Sequence, residues 1–544
     1  MSVPLCLGLD CSTQSLTGVV IEVAGSARRV AFQRSLNFDA EFPRYGTRNG
    51  VLPSPPRDPL VASSPPLMWV EALERFMQIL KDESGLDLTQ LRAVSGAAQQ
   101  HGSVYLNAGG ASRLAGLDPA QPLVRQVGDI LSRADAPIWM DSSTTTQCAA
   151  ITQVVGGPEA LARLTGSRAF ERFTGPQIRK FCERDPAGYA ATDRIHLVSS
   201  FLASLLIGAH APTEPGDAAG MNLMDLTAKR WAEVALRATA PDLERRLPTI
   251  VPSASVIGHL SRYWVERYGV PPAKVIAWTG DNPSSLVGVG LVTPGRIAIS
   301  LGTSDTLFGL LEAPKVDPSG ASHVFGAATG GYMALVCFKN GSLARERVRD
   351  AYGLDWDGFT RALRATPPGN RGAIMLPWFA AEITPPVLAP GVRRYGLDAA
   401  DAAANVRAVI EGQMMATAIH AGWIGERMTA IHATGGGARN RDILQIMADV
   451  HDADVYPLDV SQSAALGAAL RALHADEVDQ GHAIGWENVI AGFIRPATPV
   501  RPEPRNVAVY AEMKQRYAAC EAHALGRGPA PVPVTQGNPS GAHR

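Results

Sequence analysis

What is scarce in this chain narrows its class before any motif is read. Among 544 residues there are only six cysteines (Cys6, Cys11, Cys148, Cys182, Cys337 and Cys520), with no C-x-x-C pair and no metal-ligand spacing. That argues against a disulfide-built secreted scaffold or a zinc site and predicts reduced, mostly buried thiols in a cytoplasmic protein. No uninterrupted apolar run approaches the ~20 residues that a membrane-spanning helix requires. The amino-terminal stretch is apolar but has no basic leader, and it meets Asp10 too soon to form the core of a signal peptide. Nor is there a long block of one charge: 50 Lys and Arg stand against 51 Asp and Glu, for a net charge of -1. This balance argues against a nucleic-acid footprint or a membrane-binding stripe and leaves a small molecule as the expected partner.

What is present is a long chain with 46% hydrophobic residues, enough for a large core and more than one compact domain usually holds. Residues 5–10 read as a buried strand and 16–23 as a second, joined by a hydroxyl-rich turn. The pattern recurs at 297–301 and 307–311, around Gly302-Thr303-Ser304-Asp305-Thr306, and two such hairpins predict a duplicated domain. Between Phe42 and Pro66 seven prolines mark a surface loop. After it Trp69, Leu73, Phe76, Met77 and Leu80 share one face of an amphipathic helix. Residues 108–137 read as an irregular insertion. Helical periodicity returns at 406–419, a strand at 429–434 runs into three glycines, and Ile443, Ile446, Met447 and Val450 line one face of the next helix. Strands alternating with helices define an α/β class. The boundary is expected near 248–257, giving domains 1–254 and 255–500. An extension follows at 501–544, whose end, 526–544, has the composition of a disordered tail without function.

Several segments can carry chemistry. Asp10-Cys11-Ser12-Thr13-Gln14-Ser15 puts a carboxylate at a strand end and hydroxyls on a tight turn, where backbone N–H groups can meet phosphate while the acid holds Mg²⁺ or its water shell. An ordinary Asx-type turn uses the same residue types. At Gly302 the missing side chain lets the backbone approach an anion, and two matched turns favour phosphate over two plain hairpins. Gly435-Gly436-Gly437-Ala438-Arg439-Asn440, between strand and helix, can lie against adenine and ribose or can simply turn the chain. Thr279-Gly280-Asp281-Asn282-Pro283 follows a strand at 274–278 and precedes a small-residue helix at 284–290. Asn282 before Pro283 reads as that helix's cap, which leaves the carboxylate of Asp281, at a strand's carboxyl end, unexplained. Gln99-Gln100-His101-Gly102-Ser103 crowds hydrogen-bonding groups suited to a polyhydroxylated ligand, although a lone histidine also serves structure.

Together and in this order, these segments resemble the FGGY carbohydrate kinases of the actin-like ATPase superfamily, over residues 5–473. The resemblance implies an α/β fold of two actin-like (ribonuclease H-like) domains flanking a deep cleft. Three longer segments look like the long, animal-type members of the family that act on D-xylulose. These are Ser95-Gly96-Ala97-Ala98-Gln99-Gln100-His101-Gly102-Ser103, Trp139-Met140-Asp141-Ser142-Ser143-Thr144, and the run from Thr165-Gly166-Ser167-Arg168 through Phe173-Thr174-Gly175. Carried over by position, the likeness makes His101, Arg168, Asp281 and Asn282 sugar contacts and Asp281 the catalytic base. It gives Trp356, Gly436, Gly437 and Asn440 to adenosine, and Asp10, Thr13, Gly302 and Thr303 to the phosphates and Mg²⁺, with Asp10 the metal's ligand. Arg172 and Arg179 are nearby competitors of Arg168. The run Asp217-Ala218-Ala219-Gly220-Met221-Asn222 resembles a further family segment without an assigned role. The implied activity is ATP-dependent phosphorylation of D-xylulose at O5 by a cytoplasmic monomer or homodimer. The alternatives are a kinase for ribulose, glycerol or gluconate and a catalytically silent sugar sensor. A structural or chaperone-type actin-like ATPase has no need of Gln100-His101-Gly102.

Overall fold

The computed structural model describes residues 3–24, 27–425, 427–458, 462–495 and 497–531. The chain divides into two compact units built from interleaved stretches. Met1–Pro294, Leu310–Ala334 and Val460–Arg495 make the first, and Gly295–Gly309, Leu335–Asp459 and Pro496–Arg544 the second. Both mix strands and helices.

The first unit grows from the amino-terminal hairpin. Leu5–Cys11 pairs antiparallel with Ser15–Ala24, and that strand with Ala27–Asn37. On its other side Leu5–Cys11 runs parallel to Leu91–Ala98, which runs parallel to both Lys274–Ile276 and Thr279–Gly280. Val256–His259 completes the sheet of seven strands. Alternation along the first strand feeds two cores, as the twofold period of a strand requires. Leu7 and Leu9 belong to the cluster containing Trp69 and Phe76 of helix Pro66–Glu83. Cys6 belongs to the cluster containing Ala465 and Ala469 of helix Ser463–Asp479. That second helix lies directly on the strand: a Cβ at Gly8 would stand 2.1 Å from the Ala465 carbonyl oxygen. The stretch 108–137 carries two short helices, Gly110–Ala115 and Leu123–Val127.

In the second unit Arg296–Leu301 pairs antiparallel with Asp305–Leu311 and parallel with Ala430–Thr434, which pairs parallel with Asp454–Pro457. Helix Ala402–His420 is buried nearly all round and takes charged groups inside with it. Helix Arg441–His451 buries Ile443, Ile446, Met447 and Val450, the face its period predicts.

The extension after residue 501, read from composition alone, contains a 21-residue helix, Pro504–Ala524. It buries Tyr510, Met513, Tyr517 and Cys520, a helical spacing masked by the polar residues between them. Its anchor is polar: the Tyr510 hydroxyl donates to Glu411 at 2.7 Å and accepts from Arg407 at 3.0 Å. Most of the expected tail, residues 532–544, lies outside the described residues. Among the described residues no helix is long and apolar enough to cross a membrane.

Candidate active site

Topology gathers the candidate residues of the first unit at the carboxyl ends of one sheet's strands. Asp10 and Thr279 both sit opposite Ala97, on either side of strand Leu91–Ala98, so three parallel strands end together. Their exits are the Asp10–Ser15 turn, the Gln99–His101 segment and helix Asp281–Gly288, the place where α/β sheets bind ligands.

The capping expectation for Asn282 is overturned. The helix begins earlier, with Gly280 as its N-cap in extended conformation and Asp281 and Asn282 inside the first turn. The side chain of Asn282 is engaged elsewhere, donating to Gln100 Oε1 at 2.9 Å and to Asp281 Oδ1 at 2.9 Å. Asp281 Oδ1 also accepts the Asn282 backbone N–H at 2.8 Å. Gln100 crosses directly over Gly280, where a Cβ would stand 2.3 Å from its Cγ. Burial pushes the Asp281 carboxyl up to about 6, against hydrogen bonds from Asn282 and Gln100 that favour the ionised form. Such a carboxylate is ionised at neutral pH and still basic enough to take a proton.

Asp10 is half-buried, and burial followed by the charge of Asp281 raises it well above the ordinary carboxylate range. Its Oδ1 is buried and has no hydrogen-bond partner among the described residues. Two neighbouring carboxylates, one with an unused oxygen, fit a divalent cation better than they fit each other. No group of three His, Cys, Asp or Glu side chains able to hold a metal occurs among the described residues. Beside Asp10, the indole N–H of Trp139 donates to the Thr13 hydroxyl at 2.8 Å. An indole only donates, so the Thr13 hydroxyl keeps its own proton for an anionic oxygen.

His101 is buried, with φ of 72°, a left-handed conformation rare outside glycine. Its Nδ1 lies 2.6 Å from the Gly220 carbonyl. A carbonyl only accepts, so Nδ1 carries the proton and Nε2 is left as an acceptor for a hydroxyl. Burial, then the charge of Arg172, pushes this imidazole down to about 3, and it stays neutral. The motif register selects Arg168, yet the arginine whose charge reaches His101 is Arg172. Both guanidinium carbons lie 4.7 Å from the Phe170 ring centroid. Arg172 is further held by His323 Nε2 at 2.6 Å, while His323 Nδ1 lies 3.1 Å from the Ser167 hydroxyl. Arg168 makes no hydrogen bond or ion pair among the described residues, and Arg179 is committed to Glu183 and the Ala238 carbonyl. No local pattern marks His323, which meets Arg172 across 151 positions. Asp217 is 2% exposed and accepts from the Ser199 hydroxyl. Burial, reinforced by Glu214 and Asp281, raises its carboxyl well above the usual range.

The residues of the second unit that the resemblance gives to the nucleotide meet around a cavity of about 820 Å³ lined by Gly302, Thr303, Trp356, Gly436, Gly437 and Asn440 among others. Pairing of Ser300 with Thr434 sets the two glycine turns side by side. The first two of the three glycines serve different ends. Gly435 has φ of 83° and a Cβ there would stand 2.6 Å from the Leu301 carbonyl oxygen, whereas at Gly436 nothing lies within 4 Å and backbone is open to the cavity. Trp356 is 45% exposed, and Arg349 lies over its ring at 4.5 Å. Asn440 builds the wall: it caps helix Arg441–His451 by accepting from Asp442 and Ile443 N–H groups and donates to Thr360 Oγ1 at 2.9 Å. Beneath the 302–304 turn, Arg345 forms a bidentate pair with Asp305 at 2.8 and 2.9 Å, both side chains 2% exposed, and also donates to the Gly302 carbonyl at 3.3 Å. The sequence pattern showed Asp305 only as a turn residue; its partner lies 40 positions away.

Each of the two α/β units presents a hydroxyl- or glycine-lined turn at the carboxyl ends of parallel strands, where backbone N–H groups can meet an anion. Residues 132–288 match the N-terminal domain, and residues 297–475 the C-terminal domain, of the FGGY family of carbohydrate kinases. The chain is 43% identical over 539 residues to a protein of Rattus norvegicus named xylulose kinase, covering 97% of this chain and 98% of that one. Among solved structures, a xyloylose kinase from Brucella ovis superposes with a TM-score of 0.79 at 24% identity, covering 96% of this chain and 100% of that one. A gluconate kinase from Lactobacillus acidophilus superposes equally well, with a TM-score of 0.80 at 20% identity, covering 96% and 98%. The chain belongs to the FGGY family of carbohydrate kinases and is a sugar kinase. Because neighbours named for two different substrates share this fold, backbone shape leaves the choice of sugar to the side chains.

Proposed function

We propose that the enzyme transfers the γ-phosphoryl group of MgATP to O5 of D-xylulose, giving D-xylulose 5-phosphate and ADP. The sugar assignment rests on 43% identity, over 97% of this chain, to the rat protein named for that substrate. The chemistry rests on one observation in the first unit: a carboxylate raised to about 6, at the strand ends where a neutral histidine offers an acceptor nitrogen. Asp281 takes the O5 proton as O5 bonds to the γ-phosphorus and the bond from that phosphorus to the β,γ-bridging oxygen breaks, so ADP leaves. His101 Nε2 accepts from a sugar hydroxyl, Asn282 and Gln100 fix Asp281, and Arg172 or Arg168 donates to further hydroxyls. Asp10 holds Mg²⁺, which when bound offsets phosphate charge. Thr13, Gly302 and Thr303 face the phosphates, while Trp356, Gly436 and Gly437 receive adenosine and Asn440 shapes their pocket. The buried and half-buried thiols form no disulfide among the described residues, which suits a reducing cytoplasm.

The test is ADP release by the full chain with MgATP against D-xylulose, D-ribulose, glycerol, gluconate and no sugar. Release that depends on D-xylulose supports the assignment. Preference for another sugar keeps the mechanism and replaces the substrate, and release with none of them removes the D-xylulose assignment in favour of an untested substrate or a silent sugar sensor.

A further inference from the structure

We propose that Glu214 is a positioning residue that holds the base Asp281 and the sugar-side His101 in register with one another. The inference rests on the roles given above to those two residues. Glu214 is 1% exposed and belongs to none of the segments that mark the active site. Its carboxylate gathers donors from three stretches of chain. Oε1 accepts from the Thr279 hydroxyl and, at 2.8 Å, from the Asp217 N–H, while Oε2 accepts from the Ser253 hydroxyl at 2.5 Å. A carboxylate, with two accepting oxygens, takes all three.

Two of the three contacts lead to the site. Thr279 is the second residue before Asp281, on the short strand that delivers it. The Asp217 N–H belongs to the turn Pro215–Ala219, which Glu214 caps and which continues into Gly220, the carbonyl that sets the tautomer of His101. Within the same turn the Gly216 carbonyl accepts from Gln100 at 3.4 Å, and Gln100 in turn holds Asn282. The packing leaves no slack: a Cβ at Gly216 would stand 2.7 Å from Glu214 Oε1 and 2.9 Å from Thr279 Oγ1. Behind the carboxylate the buried guanidinium of Arg471 donates to the Ala277 carbonyl at 2.6 Å and to the Ser253 carbonyl at 3.4 Å, so the countercharge ties down the same two segments. The arms carrying the base and the histidine come from different parts of the sequence and meet at this one buried acid.

The experiment compares variants of the full chain that cut single arms. Thr279→Val removes the hydroxyl on the base's arm with little change of shape, and Ser253→Ala removes a bond to the same carboxylate away from it. Readouts are kcat with MgATP and D-xylulose, sugar affinity by calorimetry without nucleotide, and the melting temperature. A slightly misplaced base costs far more in turnover than in binding. Thr279→Val is therefore expected to lower kcat by about 10-fold or more with sugar affinity within about 3-fold, while Ser253→Ala keeps kcat within about 2-fold at a similar loss of melting temperature. Thr279→Ser, which restores the hydroxyl, should recover kcat to within about 3-fold of wild type. Equal kcat losses in Thr279→Val and Ser253→Ala, or a serine variant no better than valine, would overturn the positioning role. If Thr279→Val does not fold, the serine variant decides alone. A wild type inactive on D-xylulose overturns the substrate reading instead, and the same comparison then runs on whichever sugar it phosphorylates.

Discussion

Replacing Asp281 with asparagine separates chemistry from architecture, because the native contacts divide cleanly between the two. The hydrogen bonds that Asp281 Oδ1 accepts from the Asn282 backbone and amide survive with an asparagine oxygen in its place. What disappears is the proton acceptor. At pH 7.5 a carboxyl near pH 6 is almost wholly ionised, so the wild type works with nearly all of its base available. Removing a general base costs about 10²–10⁴ in rate. That corresponds to about 3–5 kcal/mol of barrier. Asp281→Asn should lower kcat by at least about 100-fold while D-xylulose affinity, measured without nucleotide, stays within about 3-fold. The wild-type kcat should fall as pH drops through about 6, an acid limb that the variant lacks.

Stability should move the other way. A carboxyl raised from 3.8 to about 6 costs the native state stability wherever it is ionised. The unfolded chain ionises first, so the cost is complete above the folded value and absent below the unfolded one. A shift of this size is worth at most about 3 kcal/mol, and less for the water that still reaches this half-buried side chain. The variant should therefore unfold later than wild type at pH 8 and no later near pH 4, followed by tyrosine and tryptophan fluorescence in urea. An Asn variant with near-normal kcat, or one less stable at pH 8, would refute the assignment of the base.

Three other outcomes follow from the geometry. Arg172→Gln should raise the KM for sugar by about 10-fold or more and Arg168→Gln by less, because a charge-assisted hydrogen bond is worth about 1.5–3 kcal/mol and only Arg172 is braced beside His101; steady-state kinetics with varied D-xylulose checks the order. Trp356→Ala should weaken ATP binding by about 1–3 kcal/mol, from the stacking that an aromatic platform gives a base, and leave sugar affinity unchanged by calorimetry. Asp305→Ala strands the Arg345 guanidinium in the interior, which costs about 3–5 kcal/mol, and its melting temperature should drop well below that of the surface variant Asp350→Ala.

The residues that chemistry requires at fixed local spacing were readable one segment at a time. Short apolar runs flanked by polar turns placed the hairpins of Leu5–Cys11 with Ser15–Ala24 and of Arg296–Leu301 with Asp305–Leu311, with Asp10 at a strand end and Gly302 on a turn. The strand entering Gly435 and the helix leaving Asn440 were legible in the same way, since a strand ending in glycines before a 3.6-residue period has few other forms. Local signals misled at Asn282, where a capping sequence is spent on a hydrogen bond to Gln100, 182 positions away. They were silent about helix Pro504–Ala524, whose apolar spacing is diluted by charge.

What the tertiary structure alone decided are the states of the side chains. Which nitrogen of His101 carries the proton depends on the Gly220 carbonyl, 119 residues on, and the bracing of Arg172 on His323, 151 residues on. The carboxyl of Asp281 owes its raised proton affinity to burial at the carboxyl ends of one sheet, where strands distant in sequence end together. Residue type and spacing name the groups that can act; burial and long-range hydrogen bonds set their charge, tautomer and aim, because desolvation and partner geometry exist only once the chain has folded.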